Sequence, residues 1–226
     1  EELLLELSYK GFGKEFLYFG ALDRGVGGSG GIYRGAMLWD NALVLHFEKR
    51  NDKKIVLVSN NTRYLEPGDA LEKKMLDEIT SEAILTAFDK VAENEDEGRY
   101  LIDLGGFFNG DNMQLARGMG SKYGVAKDLC LFPSVQAFPK NLEIGQELVV
   151  RSSTGSGGNM TMADPRSVTL RVHHSLCALP PAGFKSREMD QRVGYFITER
   201  RDALDMESKD PVKRFAERWR LQKKDP

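Results

Sequence analysis

Glycine is densest in Gly25-Val-Gly-Gly-Ser-Gly-Gly31, and that run satisfies two catalytic patterns at once. Gly25, Gly27 and Gly30 fit the dinucleotide-binding G-x-G-x-x-G, while Gly27, Ser29 and Gly31 fit the G-x-S-x-G of a hydrolase nucleophile elbow. Both chemistries need a helix straight after the turn, to hold phosphate at its N-terminus or to place the nucleophile. Ile32 to Asn41 has Gly35 inside it and no helical apolar stripe. Glu48, near the position of a ribose-binding acid, ends a strand of hairpin type. The run is therefore expected to be a flexible or tightly turning loop.

The histidines are His46, His173 and His174. A zinc peptidase helix needs H-E-x-x-H, two imidazoles one turn apart with a glutamate base between them. No histidine here is followed by Glu. His173 and His174 are neighbours in a strand-like run, so they should point to opposite faces and serve structure. Glu93, Glu95, Glu97 and Gly98 imitate a calcium loop, but Leu104 stands where the last ligand, a bidentate Glu, belongs. That segment is expected to be a solvated acidic turn. Asp103 and Asp111 flank Gly105-Gly-Phe-Phe-Asn-Gly110 as an imaginable carboxylate pair, with nothing in the spacing to fix their separation. Cys130 and Cys177 are too few for a disulfide framework; they read as two buried thiols, or as a single bridge in an exported protein.

A chain of 226 residues can bury a sizeable core. Its net charge of −2 gives no broad electrostatic reason to bind nucleic acid. No apolar run approaches the ~20 residues that span a bilayer, so the chain is not expected to be membrane-spanning. It opens on Glu1 without a signal peptide, as an excised or processed piece would.

The elements that must position these groups are mostly strands: 14–22, 42–48 with 54–58 as a hairpin, 99–104, 128–138, 142–151, 167–179 and 192–199. Leu71 to Phe88 has a helical apolar period interrupted at Thr80-Ser81, with Phe88 to Glu93 turning to strand. A short helix fits 112–118, and Ser152 to Asn159 is a flexible loop by composition. Asp210-Pro211 makes a good helix start, and Val212, Phe215, Ala216 and Trp219 recur at helical spacing over 210–221. The fold class predicted is α+β, mainly β: antiparallel sheets in a sandwich or open barrel, a few short helices and a C-terminal amphipathic helix. The chain is expected to be a single domain over 1–226.

Several segments carry a likeness. They are Asn60-Asn-Thr-Arg-Tyr64, Ala87-Phe-Asp-Lys-Val-Ala-Glu-Asn94, Leu101-Ile-Asp-Leu-Gly-Gly-Phe-Phe108, Ala137-Phe-Pro-Lys-Asn-Leu-Glu143, Val172-His-His-Ser-Leu176, Asp190 to Phe196 and Arg218 to Pro226, of which the closing Trp-Arg-Leu-Gln-Lys-Lys-Asp-Pro is the most specific. Together, in order from about residue 40 onward, they resemble the non-catalytic domain that precedes the metzincin-like catalytic domain of large bacterial zinc-dependent metalloproteases. The resemblance implies an accessory domain of an exported protein, periplasmic or secreted, with zinc held by the parent's catalytic domain and no cofactor in this chain. It implies one partner, the catalytic domain of the same polypeptide. No catalytic or metal-binding residue carries over, because no position here matches the zinc motif. Arg192, Tyr195, Trp219 and Arg220 are the expected interdomain contacts, since they sit in the segments that lead out of the domain. The alternative is a free-standing β-rich module for a glycan or peptide, using Tyr18, Tyr33, Trp39 and Tyr123.

Overall fold

Ser167–Ala178 alternates strictly: Val168, Leu170, Val172 and His174 are buried, while Arg171 and His173 face outward. That period of two makes it a strand with one face on a core. In the computed structural model it is an interior strand of a ten-stranded sheet, paired on both sides. Residues 2–27, 32–38, 42–65, 67–112, 114–154, 161–205 and 208–221 are described.

The strands of that sheet are β1 (Leu4–Ser8), β2 (Phe16–Arg24), β3 (Leu43–Lys49), β4 (Lys54–Ser59), β5 (Ala83–Asn94), β6 (Arg99–Asp103), β7 (Tyr123–Val125), β8 (Leu131–Phe138), β9 (Asn141–Ser152) and β10 (Ser167–Ala178). Their order is β1-β6-β5-β4-β3-β2-β10-β9-β7, with β8 also on β9. The pairing is antiparallel and the sheet curls into a half-barrel, as the sequence reading predicts in class. Helices are α1 (Ala70–Ile79), α2 (Leu104–Phe108) and α3 (Leu115–Met119). Among the described residues, no helix is long and apolar enough to cross a membrane.

The β3–β4 hairpin forms where expected, and its turn has a mechanism. Asn51 Oδ1 accepts from the Lys53 and Lys54 N–H groups at 2.9 Å each, doing the work an Asn-Gly pair would otherwise do. Gly98, at φ +61°, closes the acidic turn into β6. Two of the acids there are paired, Glu97 with Arg99 and Glu93 with Lys90, and Arg99 also meets Glu6 of β1.

Contacts divide the chain into two compact units, the first being Glu1–Ser59 with Ile84–Leu179, the second Asn60–Ala83 with Pro180–Pro226. The first holds the half-barrel. One core cluster centres on Phe47, Phe88, Phe107, Phe108 and Ile102, another on Leu148, Leu170, Val172 and Cys130. The second unit holds α1 and a hairpin of β11 (Ile197–Arg201) and β12 (Val212–Ala216). Tyr64 bridges to Arg201 on one side of the hairpin and Glu188 to Phe215 on the other.

Three expectations are corrected. The C-terminal helix over 210–221 is absent: Val212–Ala216 is a strand paired with Ile197–Arg201. Asp210 Oδ1 does accept from the Val212 N–H at 3.2 Å, as a cap would. The ladder with β11 nevertheless satisfies the backbone, and Val and Phe suit a strand, so pairing overrides the helical spacing. The helix read from Leu71 does stop at the expected Thr80-Ser81 break, where Thr80 Oγ1 donates to the Leu76 carbonyl, but it does not resume toward Phe88: Ala83–Asn94 is already strand. Finally, 192–196 is not strand. The Asp190 carboxylate takes both the N–H and the guanidinium of Arg192 and bends the chain there.

Candidate functional site

β9 and β10 pair with Ser175 opposite Glu143 and His174 opposite Ile144. Neighbouring residues therefore present polar groups to opposite faces of the same ladder, and two polar clusters result.

The inward cluster is a buried relay. Tyr18 Oη lies 2.8 Å from His174 Nδ1, His174 Nε2 lies 3.0 Å from Gln146 Oε1, and Gln146 Nε2 donates to Asn109 Oδ1 at 2.8 Å. Because the Gln146 amide gives its N–H to Asn109, its oxygen accepts from His174. The imidazole thus carries its proton on Nε2 and accepts the Tyr18 hydroxyl proton on Nδ1. Burial holds the His174 pKa down at about 3 and pushes the Tyr18 phenol up. Both groups stay neutral at pH 7. Gly20, opposite His174 in β2, makes room for this: a Cβ there would lie 2.4 Å from Leu38 and 2.8 Å from the Tyr18 hydroxyl. Among the described residues, no buried side-chain nitrogen or oxygen lacks a partner. Each member of the relay is hydrogen-bonded to the next, from Tyr18 to Asn109.

The outward cluster is Glu143, His173, Ser175 and Cys177. Glu143 accepts from Ser175 Oγ at 2.7 Å and Asn141 Nδ2 at 2.5 Å, and meets His173 Nε2 at 2.7 Å. Burial alone would raise its pKa, but the three hydrogen bonds together hold it below the usual carboxylate range. Ser175 Oγ also lies 3.3 Å from Cys177 Sγ. With the serine proton committed to Glu143, the thiol proton points at Ser175. The carboxylate stands between serine and histidine, so no imidazole reaches the serine or the thiol as a base.

The second unit contains a cleft of about 660 Å³ lined by Tyr64, Phe184, Phe215, Thr198, Arg200, Arg218 and their neighbours. The Arg218 guanidinium lies 4.7 Å from the Phe184 ring centroid, and Thr198 Oγ1 donates to Glu217 at 3.0 Å. The volume is in the range of ligand pockets.

The chain matches the family model described as Domain of unknown function (DUF5117) over residues 37–224. It belongs to that family. No curated protein and no solved structure matches it at a significant level. The DUF5117 match takes in both polar clusters except Tyr18, together with all of the second unit but its last two residues.

The residues singled out from the DUF5117 sequence are placed as follows. Trp219 is 87% exposed and Tyr195 is at the margin of exposure. Arg220 donates to the Pro181 and Ala182 carbonyls, while Arg192 turns onto Asp190. Trp219 and Arg220 adjoin; Arg192 is committed elsewhere. Asp103 caps α2 through the Gly106 N–H, and Asp111 accepts from the Ala116 and Arg117 N–H groups, so the imagined carboxylate pair consists of two caps. Val26 N–H donates to the Ile32 carbonyl, and Ala21 bridges to Met37, so the chain after the glycine run folds back on β2 instead of entering a helix. Gly28 to Gly31 and Trp39 lie outside the described residues, as do residues 155–160 of the predicted Gly/Ser loop. Of the aromatic candidates, Tyr18 is buried, Tyr123 donates to the Pro165 carbonyl, and Tyr33 is exposed. Cys130 is buried and Cys177 half-buried, both as free thiols. Sequence reasoning missed Phe196, Gln146 and the Glu143–Ser175 pair, which only the register reveals. Among the described residues, no three His, Cys, Asp or Glu side chains converge as a metal site.

Proposed function

We propose that this DUF5117 domain is a non-catalytic accessory domain of an exported bacterial zinc-dependent metallopeptidase, packing on the catalytic domain of the same polypeptide. One observation supports that reading. In the second unit, Ala216 is the sole buried hydrophobic among the described residues, while Phe196, Trp219 and Leu221 are 86%, 87% and 89% exposed. Leu71, Met75 and Ile79 form a further exposed stripe along α1. A unit with so thin a core leaves much apolar surface in water, as a surface meant to be covered does. Zinc and the peptide-cleaving residues belong to the neighbouring domain in this reading; Trp219, Tyr195, Arg192 and Arg220 contribute to the junction. Deleting residues 1–200 from the full-length protein should impair folding or export of the peptidase. Normal yield and activity of the truncated protein would remove the proposal.

The cleft in the second unit favours a second reading, a peptide-binding module. Three aromatic rings and two guanidinium groups suit an extended peptide with an apolar and an acidic side chain. A thermal-shift screen of acidic–aromatic peptides against the isolated chain distinguishes the two: a saturable rise in melting temperature, abolished by Arg218→Ala, supports the module.

A further inference from the structure

β8 is an edge strand of the half-barrel, held on one side only. It pairs with β9 from Ser134–Gly145 to Phe138–Asn141, and among the described residues no other backbone hydrogen bond reaches 133–138. All of Pro133 to Phe138 is exposed, including Val135 at 47% and Phe138 at 52%. Proteins normally guard such an edge with lysine, proline or a bulge. Here Pro133 and the irregular register between Leu131 and Ser134 guard the upstream end, and Ser134-Val-Gln-Ala-Phe138 carries no charge at all.

We infer that this edge pairs with the β8 edge of a second copy of the chain, antiparallel, about a twofold axis at Gln136. A twofold sets each residue against its own kind or its mirror position, so any charge near the axis would meet a like charge. The absence of charge over five residues removes that penalty. Centring on Gln136 sets two side-chain amides face to face, each able to donate and accept. Val135 then lies opposite the second copy's Ala137, on the face shared with Ile144, and Ser134 lies opposite the second copy's Phe138 on the other face. The exposed Val135 and Phe138 are covered in the same act. Centring one residue away in either direction would bring a proline, Pro133 or Pro139, which has no N–H, into the ladder. Five residues make a small interface, so association on the order of micromolar or weaker is expected.

Sedimentation equilibrium of the chain, from micromolar to near-millimolar protein, tests this. The mass should double with concentration. Gln136→Lys and Gln136→Glu should each remain monomeric, because like charges meet at the axis, and an equimolar mixture of the two should recover the dimer. Ala137→Lys, at another exposed position of the ladder, should also block association. A wild-type chain that stays monomeric throughout overturns the proposal and leaves the edge to a different partner. So does a Gln136→Lys variant that dimerises like the wild type, or a charge-swapped mixture that does not associate.

Discussion

His174 lies nearly flat against Phe108, with ring centroids 4.1 Å apart and 28° between the planes, and neither residue is more than 2% exposed. Burial of this imidazole, stacked on a phenyl ring and bonded at both nitrogens to neutral groups, disfavours its charged form. The fold therefore depends on that base staying neutral.

The pH dependence follows by linkage. His174 titrates near 3 in the folded chain because it is buried, against 6.5 when unfolded. Above pH 6.5 both states are neutral and its contribution is fully present. As pH falls below 6.5 the unfolded chain takes up the proton first, and stability is lost at up to about 1.4 kcal/mol per pH unit until roughly the folded value. Urea unfolding at a series of pH values between 7 and 4 should show this loss, and His174→Gln should flatten it. An unchanged slope in that variant would place the acid sensitivity elsewhere.

Tyr18→Phe takes the hydroxyl from His174 Nδ1 and leaves a buried acceptor unsatisfied. A loss of about 1–3 kcal/mol is expected in chemical denaturation. Gly20→Ala should destabilise through the same site, because its Cβ would lie 2.4 Å from Leu38. Neither substitution should alter the accessibility of Cys177 on the opposite face.

Cys130 is buried against Leu148, and burial raises its thiol pKa, while Cys177 is half-buried beside Ser175. Thiol titration should find at most one group in the native chain and two in denaturant. A chain that yields none in denaturant without reductant, but two once it is reduced, would point to a disulfide and contradict the free pair.

Trp219→Glu should leave the melting of the isolated chain within about 0.5 kcal/mol of wild type, because the side chain makes no core contact. Ala216→Asp, one strand residue away from Phe215 and 8% exposed, should instead loosen the β11–β12 hairpin. A large loss in Trp219→Glu would restore the amphipathic helix read from the sequence, in which Trp219 shares the buried face with Ala216.

That helix shows why part of the fold was hidden. Val212, Phe215, Ala216 and Trp219 fit a helix by spacing, and what makes them a strand is Ile197–Arg201, which lies outside any local window. The opposite faces of His173 and His174 were legible, because a strand's period of two depends on nothing distant. Their partners were not: Glu143, Gln146 and Tyr18 reach them through register across β2, β9 and β10. α2 was missed because Gly105-Gly106 disfavours a helix, and Asp103 nucleates it from outside by capping.

Whether a neighbouring domain covers the apolar surface of the second unit is tested by a paired measurement. Phe196 and Trp219 are replaced together by Ser, once in the isolated chain and once in the full-length protein. The isolated chain should melt as before, because both side chains already face water, while the full-length protein should be exported in reduced amount or lose peptidase activity. Full export and full activity of that double variant would contradict such a cover.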